Sequence, residues 1–187
     1  MRVLGISGSL RAGSHNSKLL RAAGEALPAG AELEIWEGLR DVPPYDADED
    51  VEPAPEAVAE LRDAIAEADA VLIATPEYNS SIPGALKNAL DWASRPLATN
   101  VFRNKPVAVV GATTGSFGAV WAQAELRKVL GAMGARVVKD KELEVGLPKA
   151  QDAFDVDGSL RDRLLAQRLE RLGKALAADA EAHLLAA

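Results

Sequence analysis

The sequence contains no cysteine and only two histidines among its 187 residues. The absence of cysteine excludes disulfide bonds, thiolate metal ligands, cysteine nucleophiles and redox dithiols. The histidines, His15 and His183, lie far apart in the chain, which disfavours a histidine-rich metal cluster, so we expect no metal site. Any redox chemistry of this protein therefore requires a bound cofactor.

Long hydrophobic runs are also absent, although 48% of the residues are hydrophobic. No apolar stretch approaches the roughly 18 residues of a membrane-spanning helix, and the N-terminus lacks the pattern of a signal peptide. We therefore expect a cytoplasmic protein without membrane association. A chain of 187 residues can fill one hydrophobic core and is short for two, so we expect a single domain over residues 1–187.

The charge of the chain is strongly acidic overall but unevenly distributed. The formal net charge of -7 at pH 7 disfavours nucleic acid as a partner, because binding to phosphates requires a row of lysines and arginines. No acidic residue precedes Glu25, and none lies between Asp91 and Glu125. Either these two neutral-to-positive stretches are chance clusters of charge on solvated faces, or they flank an anionic ligand.

Short continuous apolar runs alternate with helical patterns along the chain. The predicted strands lie at 3–6, 33–36, 70–75, 107–111 and 135–138, and the predicted helices at 16–27, 55–68, 83–94, 118–133 and from 159 onward. Continuous apolar strands are typical of a parallel sheet covered on both faces. We therefore predict an α/β fold with an open, doubly wound sheet in the order 2-1-3-4-5, a surface loop over 41–55 and irregular backbone over 139–158.

The first turn of this sheet, GSLRAGSHNSK at residues 8–18, contains no acidic residue. Ligands of open parallel sheets bind beyond the carboxyl ends of the strands where the strand order reverses, here between strands one and three. A helix N-terminus at that place favours a phosphate group. The side chains available to surround it are those of Ser9, Arg11, Ser14, Asn16 and Ser17, with His15 among them as a loop residue rather than a catalyst. The alternative is an ordinary serine-glycine loop.

Two nucleotide-binding motifs are incomplete in this turn. Gly8 and Gly13 have the spacing of a P-loop, but Ser14 and His15 stand where lysine and serine or threonine are required. The segment also lacks the Gly-x-Gly-x-x-Gly fingerprint of dinucleotide-binding proteins. A single terminal phosphate monoester therefore fits the turn better than a triphosphate or a dinucleotide.

Two further loops follow predicted strands at the same edge of the sheet. TPEYNSSIPGALKNALDW at residues 75–92 places Tyr78 in a loop between two prolines, where its ring can cover a planar ligand or simply anchor Pro83. GATTGSFGAVW at 111–121 contains glycines and hydroxyl side chains and by itself is weakly informative. Three such loops on neighbouring strands form a stronger joint indication of a ligand site.

The loops after the first and third predicted strands resemble those of the NADPH-dependent FMN reductases, a family of flavodoxin-like proteins that includes quinone and chromate reductases. The resemblance rests on GSLRAGSHNS at 8–17 and on TPEYNSSIPGALKNALDW at 75–92. It implies a three-layer flavodoxin-like fold, bound FMN, and NADPH or NADH as electron donor. It also implies a homodimer or homotetramer.

The resemblance further implies roles for individual residues. Ser9, Arg11, Ser14, Asn16 and Ser17, with His15 beside them, are similar to the FMN phosphate cradle; Pro76, Glu77, Tyr78 and Asn79 are similar to the isoalloxazine loop; and Thr113, Thr114 and Gly115 are similar to the third flavin loop. Arg95, just after the NALDW segment, resembles an arginine that receives the nicotinamide nucleotide.

These features predict an oxidoreductase in which NAD(P)H delivers a hydride to flavin N5 and the electrons pass to a quinone or a similar small acceptor. The cofactor carries this chemistry, so no protein nucleophile or general base is required. One alternative is a flavodoxin-type electron carrier, although carriers commonly cover both faces of the flavin with aromatic residues and these loops offer only Tyr78 and Phe117. Another is a non-catalytic module that senses flavin or binds a partner.

Overall fold

The computed structural model describes residues 1–185 and contains a parallel sheet with helices on both faces. The strands are β1 (Arg2–Ser7), β2 (Glu32–Trp36), β3 (Ala70–Thr75), β4 (Pro106–Ala112), β5 (Arg136–Val137) and β6 (Val145–Leu147). The α-helices are α1 (His15–Glu25), α2 (Glu56–Glu67), α3 (Gly84–Ala93), α4 (Val120–Ala132) and α5 (Arg163–Leu184). The terminal helix was expected from residue 159 onward; it begins at Arg163, and residues 186–187 lie outside the described part of the chain.

The strand order β2-β1-β3-β4-β5, with every pair parallel, confirms the order predicted from the sequence. β3 and β4 are buried along their whole length. Val71 and Ile73 of β3 pack in the core beneath α2, α3 and α4, whereas Ala70 and Leu72 pack in the core beneath α1 and α5. Because both faces of β3 are apolar, its sequence is a continuous apolar run rather than an alternating one.

The fifth strand position is shared by two short strands. The sequence predicted a strand at 135–138, where β5 lies, but it did not predict β6. β5 pairs only with Pro106 and Val107 at the start of β4, whereas β6 pairs with Val110 to Ala112 at its end. The expected irregular backbone over 139–158 is therefore wrong at β6. The buried end of β4 needs a partner for its backbone groups, and a three-residue strand is too short to give a periodic pattern.

The acidic loop over 41–55 is fastened to α3 by polar side chains. The Asn88 side chain accepts from the Tyr45 backbone N–H at 2.7 Å and donates to the Pro43 carbonyl at 2.7 Å. The Trp92 indole N–H donates to the same carbonyl at 2.9 Å, and its ring contacts that of Tyr45 edge-on, with 4.9 Å between centroids. The loop is thus held by α3 residues even though it lacks a long helix or strand of its own.

Two glycines allow the loop after β4 to pack directly on β6. A Cβ atom on Gly146 would lie 2.7 Å from the Gly118 carbonyl oxygen. Gly118 itself has a φ of +60°, which disfavours other residues. The close backbone approach therefore fixes the position of the loop that follows β4.

We expect Gly146→Ala to lower the free energy of unfolding by about 1–3 kcal/mol, because the added methyl group overlaps the Gly118 backbone. Urea denaturation measures this change. The matched control is Gly131→Ala in α4, where the added methyl group would have no heavy atom within 4 Å and helix propensity favours alanine by about 1 kcal/mol. Equal stabilities of the two variants would contradict the packing described here.

Candidate functional site

The loops after β1, β3 and β4 enclose a cavity of about 400 Å³ at the carboxyl edge of the sheet. We call it the central cavity. Its lining residues are Ser9, Arg11, Ser14, His15, Asn16, Pro76, Glu77, Tyr78, Ala112, Thr113 and Thr114. All of these except Ala112 were candidate site residues in the sequence. Four other candidates, Ser17, Asn79, Gly115 and Arg95, do not line this cavity.

Ser14 caps the helix that follows the first turn. Its hydroxyl oxygen accepts from the backbone N–H groups of Asn16 and Ser17 at 3.1 and 3.3 Å. The backbone N–H groups of residues 10–13 and of His15 have no acceptor within residues 1–185. Since these donors surround the start of α1, the turn offers a set of unpaired N–H groups to an anion.

Asn16 connects this turn to the end of β4. Its buried side-chain amide donates to the Ala112 carbonyl at 3.0 Å and accepts from the Ala112 N–H at 2.9 Å. The amide oxygen and one N–H of Asn16 are thus used within the protein, and one N–H remains. Asn16 holds two of the three loops together, a role that the sequence did not reveal because Ala112 is 96 residues away.

Ser17 faces the other side of the first turn. Its hydroxyl donates to the Ser7 hydroxyl oxygen at 3.0 Å. It lines a smaller cavity of about 230 Å³ between α1 and the end of β2, which we call the β2-flank cavity. Ser9 and Arg11 line both cavities, so the first turn forms the wall between them.

The loop after β3 is a tight hairpin. Tyr78 and Ser81 exchange backbone hydrogen bonds, each of 3.0 Å, across Asn79 and Ser80, which have φ values of 52° and 60°. Two consecutive positive φ values are those of a type I′ turn, which explains an asparagine at the first turn position. The turn directs Asn79 away from the lining of the central cavity and leaves Tyr78 at its mouth, 54% exposed.

Glu77 caps α4 from the loop after β3. One carboxylate oxygen accepts from the backbone N–H groups of Trp121 and Ala122 at 2.9 and 3.0 Å. Ala119, which precedes the helix, has no side chain that could do so. The carboxylate satisfies two free donors and lies at the positive end of the helix dipole. In the sequence, this role of Glu77 was indicated only by the lack of a capping residue before α4.

The loop after β4 is held by hydrogen bonds to the end of β6 and to the segment that follows it. The Thr113 N–H donates to the Leu147 carbonyl, the Thr113 carbonyl accepts from Ala150, and the Gly115 carbonyl accepts from Lys149, each at 3.0 Å. Thr113 and Thr114 therefore line the cavity on a fixed backbone, whereas Gly115 lies outside the lining.

Arg95 does not reach the central cavity of its own chain. α3 begins after the hairpin at the carboxyl edge and runs back along the sheet, so Arg95 follows it at the amino edge, where its guanidinium pairs with Asp50 at 3.3 Å. Lys105 lies at the same amino edge and donates to the Ala68 carbonyl. Arg95 and Lys105 of the second acid-free stretch therefore lie away from the central cavity, whereas Thr113 and Thr114 of the same stretch line it.

His15 lies in the first turn of α1 with its Nδ1 atom buried and without a hydrogen-bond partner. Burial, followed by the positive charges of Arg11 and Lys18, lowers the pKa of His15 below its ordinary value of 6.5. The imidazole is therefore neutral at pH 7 in the free protein. A phosphate dianion bound at the turn would stabilise the charged imidazolium and raise this pKa.

We expect the imidazole of His15, followed by NMR, to titrate below pH 6.5 in the phosphate-free protein and at a higher pH after FMN is added. In the free protein the unfolded chain takes up this proton first, so the contribution of His15 to stability declines as the pH falls below 6.5. A His15 midpoint that does not move with FMN would contradict an anion at this turn.

Comparisons with known proteins agree with this geometry. A sequence model of the family described as NADPH-dependent FMN reductase matches residues 1–149. An NAD(P)H-dependent FMN reductase of Pseudomonas aeruginosa is 43% identical over 176 residues, which cover 92% of this chain and 93% of that protein. A quinone reductase of Pseudomonas putida is 39% identical over 158 residues, which cover 84% of this chain and 83% of that protein.

Solved structures show the same architecture. The flavoenzyme NAD(P)H:(acceptor) oxidoreductase FerB from Paracoccus denitrificans has a TM-score of 0.84 and 36% identity, with 97% of this chain and 98% of that chain covered. A flavodoxin variant from Pseudomonas aeruginosa has a TM-score of 0.58 and 19% identity, with 97% and 99% covered, which confirms the flavodoxin-like fold alone. From the family match and these relatives, this chain belongs to the NADPH-dependent FMN reductase family.

Proposed function

We propose that this protein binds FMN in the central cavity and passes electrons from NAD(P)H through it to a quinone or a similar small acceptor. The observation that carries the proposal is the pair of unpartnered backbone N–H groups of Arg11 and His15, two residues that line the central cavity in the first turn of a chain of this family. The names of the relatives, NAD(P)H-dependent FMN reductase and quinone reductase, support the same reaction.

The first turn has the chemistry that a phosphate monoester requires. Ser9 and Ser14 present hydroxyl groups, and Arg11 uses one guanidinium nitrogen to bind the Gly13 carbonyl at 3.0 Å, which leaves its other donors available. No acidic residue lies in the turn, so nothing there opposes a dianion. These groups, together with the remaining N–H of Asn16, would hold the FMN phosphate.

The other two loops have the shape to hold a planar ring. Pro76 and Tyr78 contribute apolar surface on one side of the cavity, and Thr113 and Thr114 contribute hydroxyl groups on the other. Glu77 fixes the loop after β3 relative to α4, because its carboxylate accepts hydrogen bonds from the start of α4 and is not directed at a ligand. These residues would hold and orient the ring of FMN when it is bound.

When bound, FMN would supply the redox chemistry: the electron pair and proton of a hydride from the nicotinamide ring, with one further proton from solvent, would reduce the quinone to a hydroquinone. The chain does not need to supply a nucleophile or a redox group. The protein contributes binding and orientation, for which a fixed turn and a fixed hairpin suffice. Of the titratable residues lining the cavity, His15 is neutral at pH 7 and Glu77 is occupied by α4.

We further propose that residues 1–187 form one FMN-binding domain and that the protein acts in the cytoplasm, where NAD(P)H is available. The two hydrophobic clusters on opposite faces of one sheet support the single domain. None of the helices within residues 1–185 has the length and apolarity to cross a membrane. Exposed Phe117, Val120 and Trp121, beside the capped start of α4, support a homodimer or homotetramer that covers them.

We expect Arg11→Ala to weaken FMN binding by roughly 1–3 kcal/mol, because a charge-assisted hydrogen bond to the phosphate is lost. Quenching of FMN fluorescence measures the dissociation constant. Arg168→Ala removes the same charge from an exposed position of α5 and should leave the affinity unchanged. Equal affinities of the Arg11 variant and the wild type would contradict the assigned turn.

We expect NADPH or NADH to bleach the flavin of the FMN-loaded protein under anaerobic conditions, and a quinone to restore the yellow colour. Stopped-flow absorbance measures both steps. Flavin that binds but is not bleached would favour a flavodoxin-type carrier. Flavin bound without turnover, together with a reproducible protein partner, would instead favour the non-catalytic module.

A further inference from the structure

The β2-flank cavity brings together three arginines, of which the proposed binding of FMN explains only Arg11. Arg11, Arg21 and Arg40 line it with Ser9 and Ser17, and Glu37 is the acidic residue in its lining. These arginines come from three different elements: the first turn, α1, and the short turn after β2. Their convergence is therefore a product of the tertiary structure and not of one basic segment.

The sheet register explains how Arg40 reaches the first turn. Ile6 of β1 pairs with Trp36 of β2, so the segments that follow the two strands leave the sheet side by side. Leu39 is buried and anchors the segment after β2, and the Arg40 guanidinium donates to the Leu10 carbonyl at 2.7 Å. One contact fixes the side chain, and its other N–H donors remain available.

Arg21 comes to the same place from α1. It follows Ser17 by four residues and therefore lies on the same face of the helix. It is exposed, and no hydrogen-bond acceptor for its guanidinium lies within residues 1–185.

None of the three guanidinium groups has a carboxylate within 4.0 Å in the described part of the chain, although the sequence contains 28 acidic residues. In contrast, Arg62, Arg136 and Arg161 all pair with aspartates. Three like charges around one small cavity repel each other, and an anion would relieve that repulsion. Arginine is also the side chain best suited to bind phosphate oxygens in pairs.

The position of the cavity indicates which phosphate it would receive. β2 lies two strand positions from β3, so the carboxyl ends of these two strands are about 10 Å apart across the sheet. A dinucleotide whose nicotinamide lies on the flavin at the hairpin after β3 can span this distance through its pyrophosphate. Its adenosine end would then reach Arg21 and Arg40 behind the first turn.

We propose that the β2-flank cavity binds the 2′-phosphate of NADPH through Arg21 and Arg40, and that the protein therefore uses NADPH in preference to NADH. This inference rests on the proposed function. The same chemistry could instead come from the phosphate of FMN, because Ser9 and Arg11 line both cavities. The experiment must therefore separate nucleotide binding from FMN binding.

The test uses the FMN-loaded protein and the variants Arg21→Gln and Arg40→Gln, with Arg168→Gln as the matched control. Each site variant should raise the KM for NADPH about tenfold, since a charged hydrogen bond to phosphate is lost, while the KM for NADH, kcat and the Kd of FMN stay within twofold. Arg168→Gln should change none of these values.

Calorimetry provides a readout that does not depend on turnover. Adenosine 2′,5′-bisphosphate should bind the FMN-loaded protein, bind about tenfold more weakly to each site variant, and bind more tightly to Glu37→Gln because a repulsive charge is removed. Adenosine 5′-monophosphate, which lacks the 2′-phosphate, should respond to none of the changes. These binding results would support the 2′-phosphate site even if no nicotinamide nucleotide reduced the flavin. A failure to reduce the flavin would contradict only the proposed function.

Two results would overturn the inference. A raised Kd of FMN in both arginine variants, with an unchanged ratio of NADPH to NADH efficiency, would assign the cavity to the FMN phosphate. Unchanged binding of adenosine 2′,5′-bisphosphate in both variants would show that the arginines are only solvated surface charges.

Discussion

The buried hydrogen bonds between Asn16 and Ala112 are the interaction on which the site depends. Ala112 is the last residue of β4. Asn16 is the second residue of α1, the helix that follows β1, and β1 lies two strand positions from β4. The pair satisfies both backbone groups of Ala112 in a buried place, where leaving one unpaired would cost about 1–3 kcal/mol. It also draws the first and third loops to a fixed separation. The separation of these two loops therefore depends on this amide side chain.

Glu77 provides a second connection of the same kind between the loops after β3 and β4. Parallel strands end at a common edge, and each following loop begins with backbone groups that the sheet no longer satisfies. Asn16 and Glu77 satisfy such groups on neighbouring elements rather than on their own. Three loops that would otherwise vary independently thus form one rigid rim, as an orienting site for a ring requires.

Charge separates the two edges of the sheet. At the amino edge, cations are neutralised within the protein: Arg95 pairs with Asp50, and Lys105 binds backbone carbonyls. At the carboxyl edge, the arginines around the first turn keep free donors. An acidic protein thereby retains a local positive region where two anionic reactants, a flavin phosphate and a nicotinamide nucleotide, are proposed to meet.

The sequence by itself determined the strand order, the three loops of the site and most of the cavity lining. These features follow from local patterns: continuous apolar runs, glycine and serine turns, and the position of helix starts. It did not determine β6, the links made by Asn16 and Glu77, the place of Arg95, or the convergence of Arg21 and Arg40. Each of these depends on residues far apart in the chain that only the packed sheet brings within hydrogen-bonding or ion-pairing distance, and a local pattern carries no information about such partners.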